Sequence, residues 1–141
     1  MSTLVLDGSM ALSWFLPDEK ADESEEVRKL IEGGATVQVP SIWPLEVANA
    51  LLVAERRKRI SQADSTAALA ALAKLPIELD AETAQRAGHD TIALARQHSL
   101  SVYDTAYLEL ATRKAATLAS LDDPLRKAAE KLKVRLLPDK L

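Results

Sequence analysis

Four acidic residues are far apart in the chain, but each lies where folding could bring it to one place: Asp7, Glu46, Asp104 and Asp122. Asp7 follows the apolar run Leu4–Leu6, and Asp122 follows the run Thr117–Leu121. Both runs are typical of buried strands, and ligands of open parallel sheets bind at the carboxyl ends of the strands. Carboxylates packed closely together cannot all stay ionised without compensation, and Mg²⁺ and Mn²⁺ prefer carboxylate oxygen. The pattern therefore predicts one pocket that binds a divalent cation, with the other two acids supplied by helix starts.

Asp7 and Glu46 each have a purely structural alternative. Asp is favoured at helix N-caps and in turns, although Ser9 lies closer to the predicted helix and could cap it, leaving Asp7 free. Glu46 falls near the start of a helix, since Pro44 belongs in a first turn, so it could simply pair with the helix dipole. The residues one turn after Glu46 are Asn49 and Ala50, and they indicate a helix face that is more buried than solvated. A carboxylate there needs a partner, because burying an unpaired charge is expensive.

Asp104 and the pair Asp122-Asp123 also have structural alternatives. The stretch from Ser101 to Asp104 matches a capping box, in which Asp104 would bond back to the helix start. The same helix geometry also points Asp104 inward, on one face with Tyr107. The proline after Asp123 fits the first helical position, so Asp123 is expected to be the N-cap and Asp122 is left at the strand end. We therefore predict Asp122 as the fourth acid, with Asp123 as the alternative.

Five predicted strands alternate with predicted helices. The strands are Leu4–Leu6, Thr36–Val39, Ile77–Leu79, Thr117–Leu121 and Val134–Leu137. The helices are Met10–Phe15, Ala21–Glu32, Ser41–Arg59, one opened by a capping box at Ser61–Asp64 and continuing through Lys74, Ala81–His98, Ser101–Lys114, and one from Asp122 through Leu132. Gly33 and Gly34 are expected to end the second helix, and Asp80 to cap the fifth. This alternation predicts an α/β domain spanning residues 1–141, with a mainly parallel sheet of about five short strands and helices on both faces.

The bulk composition limits the possible functions. The chain has 141 residues, of which 48% are hydrophobic and 28% charged, as is ordinary for one globular domain. The absence of Cys excludes disulfides and Cys-based zinc sites. No apolar segment approaches the length that crosses a bilayer, and the N-terminus is unlike a signal peptide, so we expect a soluble, cytoplasmic protein without a membrane partner. Because the net charge is −3, a nucleic acid would have to be held by a local basic patch or by metal ions.

The remaining candidate groups have weaker signals. The basic run Arg56, Arg57, Lys58 and Arg59 could contact RNA phosphates, or it could only complement the end of a helix. The two histidines, His89 and His98, are predicted to be surface residues, and Ser9 and Ser13 lack identifiable partners for a hydrolase triad. We expect Trp14, Phe15 and Trp43 to pack in the core or in a dimer interface, and Lys127, Lys131, Lys133 and Arg135 to form a solvated face.

Four sequence blocks together resemble the motifs of a known family. The blocks are Leu4–Ser9, Leu45–Leu51, Val102–Ala111 and Leu118–Asp122, and they follow one another over nearly the whole chain. They resemble the four blocks of PIN-domain ribonucleases, and they look most like the VapC toxins of bacterial and archaeal toxin–antitoxin pairs. The most specific block is the pattern Tyr-Asp-x-x-Tyr-Leu-x-Leu-Ala that begins at Tyr103, and the least specific is the block around Asp7.

The resemblance implies a PIN-like three-layer α/β fold and a set of site residues. It implies that Asp7, Glu46, Asp104 and Asp122 are the catalytic acids, that Asp7, Asp104 and Asp122 bind metal, and that Ser9, Asn49 and Ser120 support them. The departures from the family pattern are mild, since Ser120 stands where Thr is common and Asp123 adds a neighbouring carboxylate. The implied cofactor is one or two Mg²⁺ or Mn²⁺ ions.

The resemblance also implies an activity and partners. The expected activity is endonucleolytic cleavage of RNA, often structured RNA such as tRNA, by the toxin of a type II toxin–antitoxin pair. The expected partners are the RNA substrate, a cognate antitoxin that occupies the site, and a second copy in a homodimer. A catalytically silent PIN-like interaction domain is the main alternative, and the presence of all four acids argues against it. A metal-dependent phosphatase is a lesser alternative, because Asp7-Gly8-Ser9 lacks the second carboxylate that it needs.

Overall fold

The sheet is the centre of the fold and has five parallel strands. A computed structural model describes residues 3–17 and 22–141 of the chain. The strands are β1 (Thr3–Leu6), β2 (Thr36–Val39), β3 (Ile77–Leu79), β4 (Thr117–Ala119) and β5 (Leu136–Leu137), in the spatial order β3-β2-β1-β4-β5. Every pair of neighbouring strands is parallel, and Val5 of β1 lies between Gln38 and Leu118. The predicted α/β class with five short strands is confirmed.

The helices connect successive strands and cover the sheet. They are α1 (Gly8–Ser13), α2 (Asp22–Glu32), α3 (Trp43–Arg56), α4 (Gln62–Ala73), α5 (Thr83–Arg86), α6 (Ile92–His98), α7 (Val102–Lys114) and α8 (Asp123–Lys131), with a π-helical turn (Ala87–Thr91) between α5 and α6. The predicted start of α2 at Ala21 lies outside the described residues. None of the described helices is both long enough and apolar enough to cross a bilayer.

The core lies between the central strand β1 and the helix α7. Leu4, Val5 and Leu6 of β1 are at most 1% exposed, because a parallel strand in the middle of the sheet is covered on both faces. Helix α7 is buried without interruption from Thr105 to Ala111 and packs against β1. The first turn of α7 is therefore held close to the end of β1.

Several helix ends match the local signals in the sequence. Ser61 and Asp64 form the predicted reciprocal capping box at the start of α4. Helix α2 ends at Glu32, and the chain then passes through Gly34, whose φ of 106° is open to glycine without strain, while the Ala35 amide bonds back to the Leu30 carbonyl. The predicted glycine C-cap is thus confirmed, and it turns the chain into β2.

Other boundaries differ from the predictions. Helix α3 begins at Trp43 and ends at Arg56, because the chain forms a turn before Trp43 and Lys58 adopts a left-handed φ of 60°. Strand β4 ends at Ala119, since the Leu121 amide bonds to the Ser9 hydroxyl and not to another strand. Strand β5 has only two residues.

The prediction of one continuous helix over Ala81–His98, capped by Asp80, is wrong in its start and in its continuity. Asp80 does not cap it: the N-cap of α5 is Glu82, and the Asp80 carboxylate accepts hydrogen bonds from Arg113 at 2.6 and 3.1 Å. The π-helical turn that interrupts the helix contains Gly88, a residue with low helix propensity. Asp80 thus ties the end of β3 to α7.

The weaker sequence candidates have mostly structural positions. Trp14 and Trp43 are buried and Phe15 is half-buried against the core, as expected. The four basic residues predicted to form a solvated face, Lys127, Lys131, Lys133 and Arg135, are all exposed. His89 is exposed, but the prediction for His98 is wrong, because it is half-buried and its Nε2 atom is fully enclosed.

Candidate active site

One cavity at the carboxyl end of the sheet is lined by all four predicted acids. Its volume is about 430 Å³, and its acidic lining consists of Asp7, Glu46, Asp104 and Asp122. Asp7 directly follows β1, Glu46 and Asp104 lie in the first turns of α3 and α7, and Asp122 immediately precedes α8. The cavity lies where β1 and β4 end, which is the edge of a parallel sheet where ligands bind.

Asp7 is held by two hydroxyl groups. Its side chain is buried, and its Oδ2 atom accepts hydrogen bonds from Ser9 Oγ and from Ser120 Oγ, each at 2.7 Å. The same hydroxyls accept bonds from the backbone, since Ser9 Oγ receives the Leu121 amide and Ser120 Oγ receives the Asp122 amide. Ser9 therefore does not cap α1, contrary to that alternative, and joins Asp7 to residues 120–122.

Asp122, and not Asp123, lines the cavity. Asp122 is the N-cap of α8, where its Oδ2 accepts the Leu125 amide at 3.0 Å, so the expectation of Asp123 as the cap is wrong. The proline after Asp123 fits one position later than expected, because the second amide of a helix also lacks an intrahelical partner. Asp123 is 71% exposed in its side chain and pairs with Lys127.

A buried arginine supports the loop that carries Asp122. Arg126 is only 4% exposed, and its guanidinium donates to the Ser120 carbonyl at 3.0 Å and to the Pro138 carbonyl at 2.6 Å. It thereby joins the end of β4 to the segment after β5. The sequence did not single out this residue, since it stands directly before Lys127, which is solvated.

Glu46 is bonded to a tyrosine of another helix. Tyr107 Oη donates to Glu46 Oε1 at 2.6 Å, and Tyr107 also lines the cavity. Burial and the bond to Glu46 raise the pKa of the Tyr107 phenol, so the hydroxyl remains a protonated donor. The sequence placed Tyr107 on the face of Asp104 without giving it a role, and its i+3 spacing from Asp104 was the available signal.

The cavity raises the pKa of three of its carboxyl groups. Burial raises the pKa of Asp7, the bonds from Ser120 and Ser9 oppose this, and the charges of Asp122 and Asp104 add to it. For Asp104, burial and the charge of Asp122 are the two causes that raise the pKa. A carboxylate that is ionised here is unfavourable until an opposite charge is supplied.

Glu46 shows the same balance. Burial raises its pKa, the Tyr107 hydrogen bond lowers it, and the charges of Asp7 and Asp104 raise it again, with a net increase. Burial is thus the largest cause of the raised pKa in all three acids, and the charges of neighbouring acids add to it, so a divalent cation would stabilise their ionised forms.

The donor set suits a hard cation, but its carboxylates are too far apart to hold one as they stand. Carboxylate oxygens with hydroxyl neighbours are ligands that Mg²⁺ and Mn²⁺ prefer. Within residues 3–17 and 22–141, no three Asp, Glu or His side chains are grouped closely enough to hold a metal ion as they stand. A bound cation would have to draw the carboxylates together.

The basic run and Asn49, also predicted as site residues, mostly lie outside the acidic cavity. Of the basic run, Arg59 lines the cavity, whereas Arg56 lines a different cleft beside Leu52 and Ile60. Arg57 and Lys58 are exposed. Asn49 is also exposed, and it is not among the described residues that line the acidic cavity.

Comparison with known proteins decides the family. The family profile of the PIN domain matches residues 4–131. The chain belongs to the PIN-domain family. The resemblance noted in the four sequence blocks is therefore confirmed, and the acidic cavity lies within the matched region.

Relatives of this PIN domain include VapC proteins. Ribonuclease VapC3 of Pyrobaculum aerophilum is 27% identical over 135 residues, which are 96% of this chain and 98% of that protein. The crystal structure of VapBC2 from Rickettsia felis bound to a DNA fragment from their promoter has a similar fold, with a TM-score of 0.64, 15% identity, and 95% and 96% of the two chains covered. Mycobacterium tuberculosis VapC20, a sarcin–ricin loop cleaving toxin, has a TM-score of 0.57 and 14% identity, with 89% and 94% covered.

Proposed function

We propose that this PIN domain is a metal-dependent endoribonuclease and the toxin of a type II toxin–antitoxin pair. The observation that carries the proposal is the meeting of four carboxylates in one cavity, three of them with raised pKa values. Such a site is unfavourable in itself and is balanced by a divalent cation. The similarity to a protein named ribonuclease VapC3 supports RNA as the substrate.

Asp7, Asp104 and Asp122 would hold one or two Mg²⁺ or Mn²⁺ ions. Such ions supply an activated water and charge stabilisation at the leaving oxygen of a phosphodiester. The chain contributes rigid positions for the acids: two serine hydroxyls fix Asp7, and the Leu125 amide fixes Asp122. Asn49, which is exposed, would act only on substrate or partner outside the cavity.

Glu46 and Arg59 both line the cavity and would have different tasks towards the substrate phosphate. The Glu46 carboxylate would accept a proton from the attacking water, because it lines the cavity and has one oxygen held by Tyr107. The Arg59 guanidinium would bind a phosphate next to the scissile bond, and Arg56, Arg57 and Lys58 would contact RNA farther away. The fold similarity to a toxin that cleaves the sarcin–ricin loop favours structured RNA as the substrate.

The proposed partners are an antitoxin and a second copy of the chain, in the cytoplasm. The similar chain from Rickettsia felis forms a VapBC2 assembly with its own partner. An antitoxin that covers the acidic cavity would inhibit cleavage, since substrate and metal use the same carboxylates.

The deciding experiment is cleavage of total RNA by the purified protein. We expect fragments in the presence of Mn²⁺ or Mg²⁺, none after addition of a chelator, and none with Asp104→Asn. Asp123→Asn is the matched control, because its carboxylate is exposed and lies outside the cavity. A wild-type protein that cleaves no RNA with either ion would contradict the proposal and favour a silent interaction domain.

A further inference from the structure

The hydroxyl of Tyr107 connects the two helices that carry acids into the cavity. It belongs to α7, one turn after Asp104, and it donates to Glu46 of α3, which is 61 positions away in the chain. The oxygen–oxygen distance of 2.6 Å is that of a strong bond to a carboxylate. The contact therefore sets the position of Glu46 relative to Asp104.

Glu46 needs such a support more than Asp7 and Asp122 do. Asp7 is held by two serine hydroxyls and Asp122 by a backbone amide, and both have the short side chain of aspartate. Glu46 has one more rotatable bond and is only half-buried, so packing restricts it less. Tyr107, in contrast, is 1% exposed and cannot move without disturbing the core.

We propose that Tyr107 is a positioning residue, which holds Glu46 Oε1 so that Oε2 is presented to the water or phosphate in the cavity. This inference rests on the proposed nuclease function. It gives the tyrosine ring and its hydroxyl separate tasks: the ring fills the core beside β1, and the hydroxyl orients a catalytic carboxylate. Tyr107→Phe removes only the second task, because phenylalanine retains the ring.

The chain contains a matched control for this substitution. It has two tyrosines, and the other one, Tyr103, lies on the same helix with its side chain in solvent, 63% exposed. Tyr103→Phe removes a hydroxyl of the same type outside the cavity lining. It also leaves Tyr107 as the single tyrosine, which makes its hydrogen bond visible to spectroscopy.

The first measurement tests the hydrogen bond in the metal-free protein. The intensity ratio of the tyrosine Fermi doublet in a Raman spectrum reports whether a phenol donates a strong hydrogen bond. In the Tyr103→Phe background we expect the ratio of a strong donor, and a shift away from it when Glu46→Ala is added. An unchanged ratio would overturn the inference, whatever the activity of the protein.

The second measurement tests the effect on cleavage of a fluorogenic RNA. We expect Tyr107→Phe to lower kcat about tenfold or more, since a bond to a charged group is lost, and to leave KM within about twofold. Tyr103→Phe should retain the wild-type kcat. In the Glu46→Ala background, Tyr107→Phe should have no further effect, because the group through which it acts is gone.

The outcomes separate this inference from the proposed function. A wild-type kcat in Tyr107→Phe, or an equal loss with and without Glu46, would overturn the positioning role while the nuclease remains. A wild-type protein without any metal-dependent cleavage would overturn the function, and the catalytic role of Tyr107 with it. The Raman measurement would then still decide whether the Tyr107–Glu46 bond exists.

Discussion

Asp7→Asn separates the charge of the central acid from its hydrogen bonds. Both serine hydroxyls donate to Oδ2 of Asp7, so the amide oxygen of asparagine can accept both bonds and leave its NH₂ group on the other side. The substitution therefore removes one negative charge from a buried position with little change in shape. Because burial and neighbouring acids raise the pKa of Asp7, its ionised form is unfavourable, and we expect the metal-free variant to be at least as stable as the wild type.

A divalent cation should reverse this order of stability. At about 10 mM Mg²⁺ and a dissociation constant of about 1 mM, binding to the folded state adds about 1.4 kcal/mol to the free energy of unfolding. For a chain of 141 residues, this corresponds to a rise in Tm of roughly 4–5 °C. The wild type should show the rise, and Asp7→Asn should lose it together with at least about 100-fold of the cleavage rate, since even indirect partners of a metal matter by about 10–100-fold.

Differential scanning fluorimetry with and without Mg²⁺, beside an RNA cleavage assay, measures both effects. Asp123→Asn removes the neighbouring exposed carboxylate and should retain the Tm rise and the activity. An Asp7→Asn variant that keeps the Mg²⁺-dependent rise would refute the assignment of Asp7 as a metal ligand. A metal-free variant that is less stable than the wild type by more than about 2 kcal/mol would refute the argument that the amide replaces both hydrogen bonds.

Three further predictions concern stability and RNA binding. Burial alone would raise the pKa of Asp80, but the bonds from Arg113 and neighbouring donors hold it below its usual value. This carboxylate therefore stabilises the fold above about pH 4, and its contribution is lost as the pH falls further. In urea unfolding measured at several pH values, Asp80→Asn should reduce the fall in unfolding free energy at acidic pH. Arg126→Met should lower the free energy of unfolding by about 2–3 kcal/mol, because two buried carbonyls lose their donor, and a loss below about 0.5 kcal/mol in guanidinium titrations would contradict this. Arg59→Ala should raise KM for RNA and lower the slope of RNA affinity against salt concentration by about one charge. Arg57→Ala, outside the cavity lining, should change both quantities less. Equal effects of the two substitutions would refute the special role of the cavity arginine.

The elements of the fold could be predicted because their signals are local. The buried strand Leu4–Leu6 is a continuous apolar run, and Ser61 with Asp64 forms a capping box that depends on residues three positions apart. The end of α2 is equally local, since Gly34 supplies the left-handed backbone that the turn requires. Short-range backbone preferences act alone at these positions, so one sequence is enough to see them.

The errors have long-range causes. Asp80 looked like a helix cap, but its partner Arg113 lies 33 residues later on another helix. Asp122 took the cap position expected for Asp123, because β4 ends early when Ser9, from the other end of the chain, bonds to Leu121. No spacing rule reports such pairings, since they exist only after the sheet has formed.

The four acids of the candidate site could be found from the sequence, but the contacts that hold them could not. The ends of two predicted strands pointed to Asp7 and Asp122, and the family resemblance named Ser9 and Ser120 as supporting residues. Their actual role, two donors on a single oxygen of Asp7, depends on the register of β1 beside β4. The Tyr107–Glu46 bond has the same origin, because it joins residues 61 positions apart that meet only in the folded chain.

The central place of β1 in the sheet has a consequence for synthesis of the chain. Its neighbour β4 is followed by Ser120, which comes 113 positions after Asp7 in the chain and leaves the ribosome correspondingly later. A nascent polypeptide therefore carries Asp7 and Glu46 without the groups that complete the cavity until residues 120–122 have been made. The acidic cavity can therefore assemble only after residues 120–122 have been made, and until then Asp7 lacks one of its two hydroxyl donors.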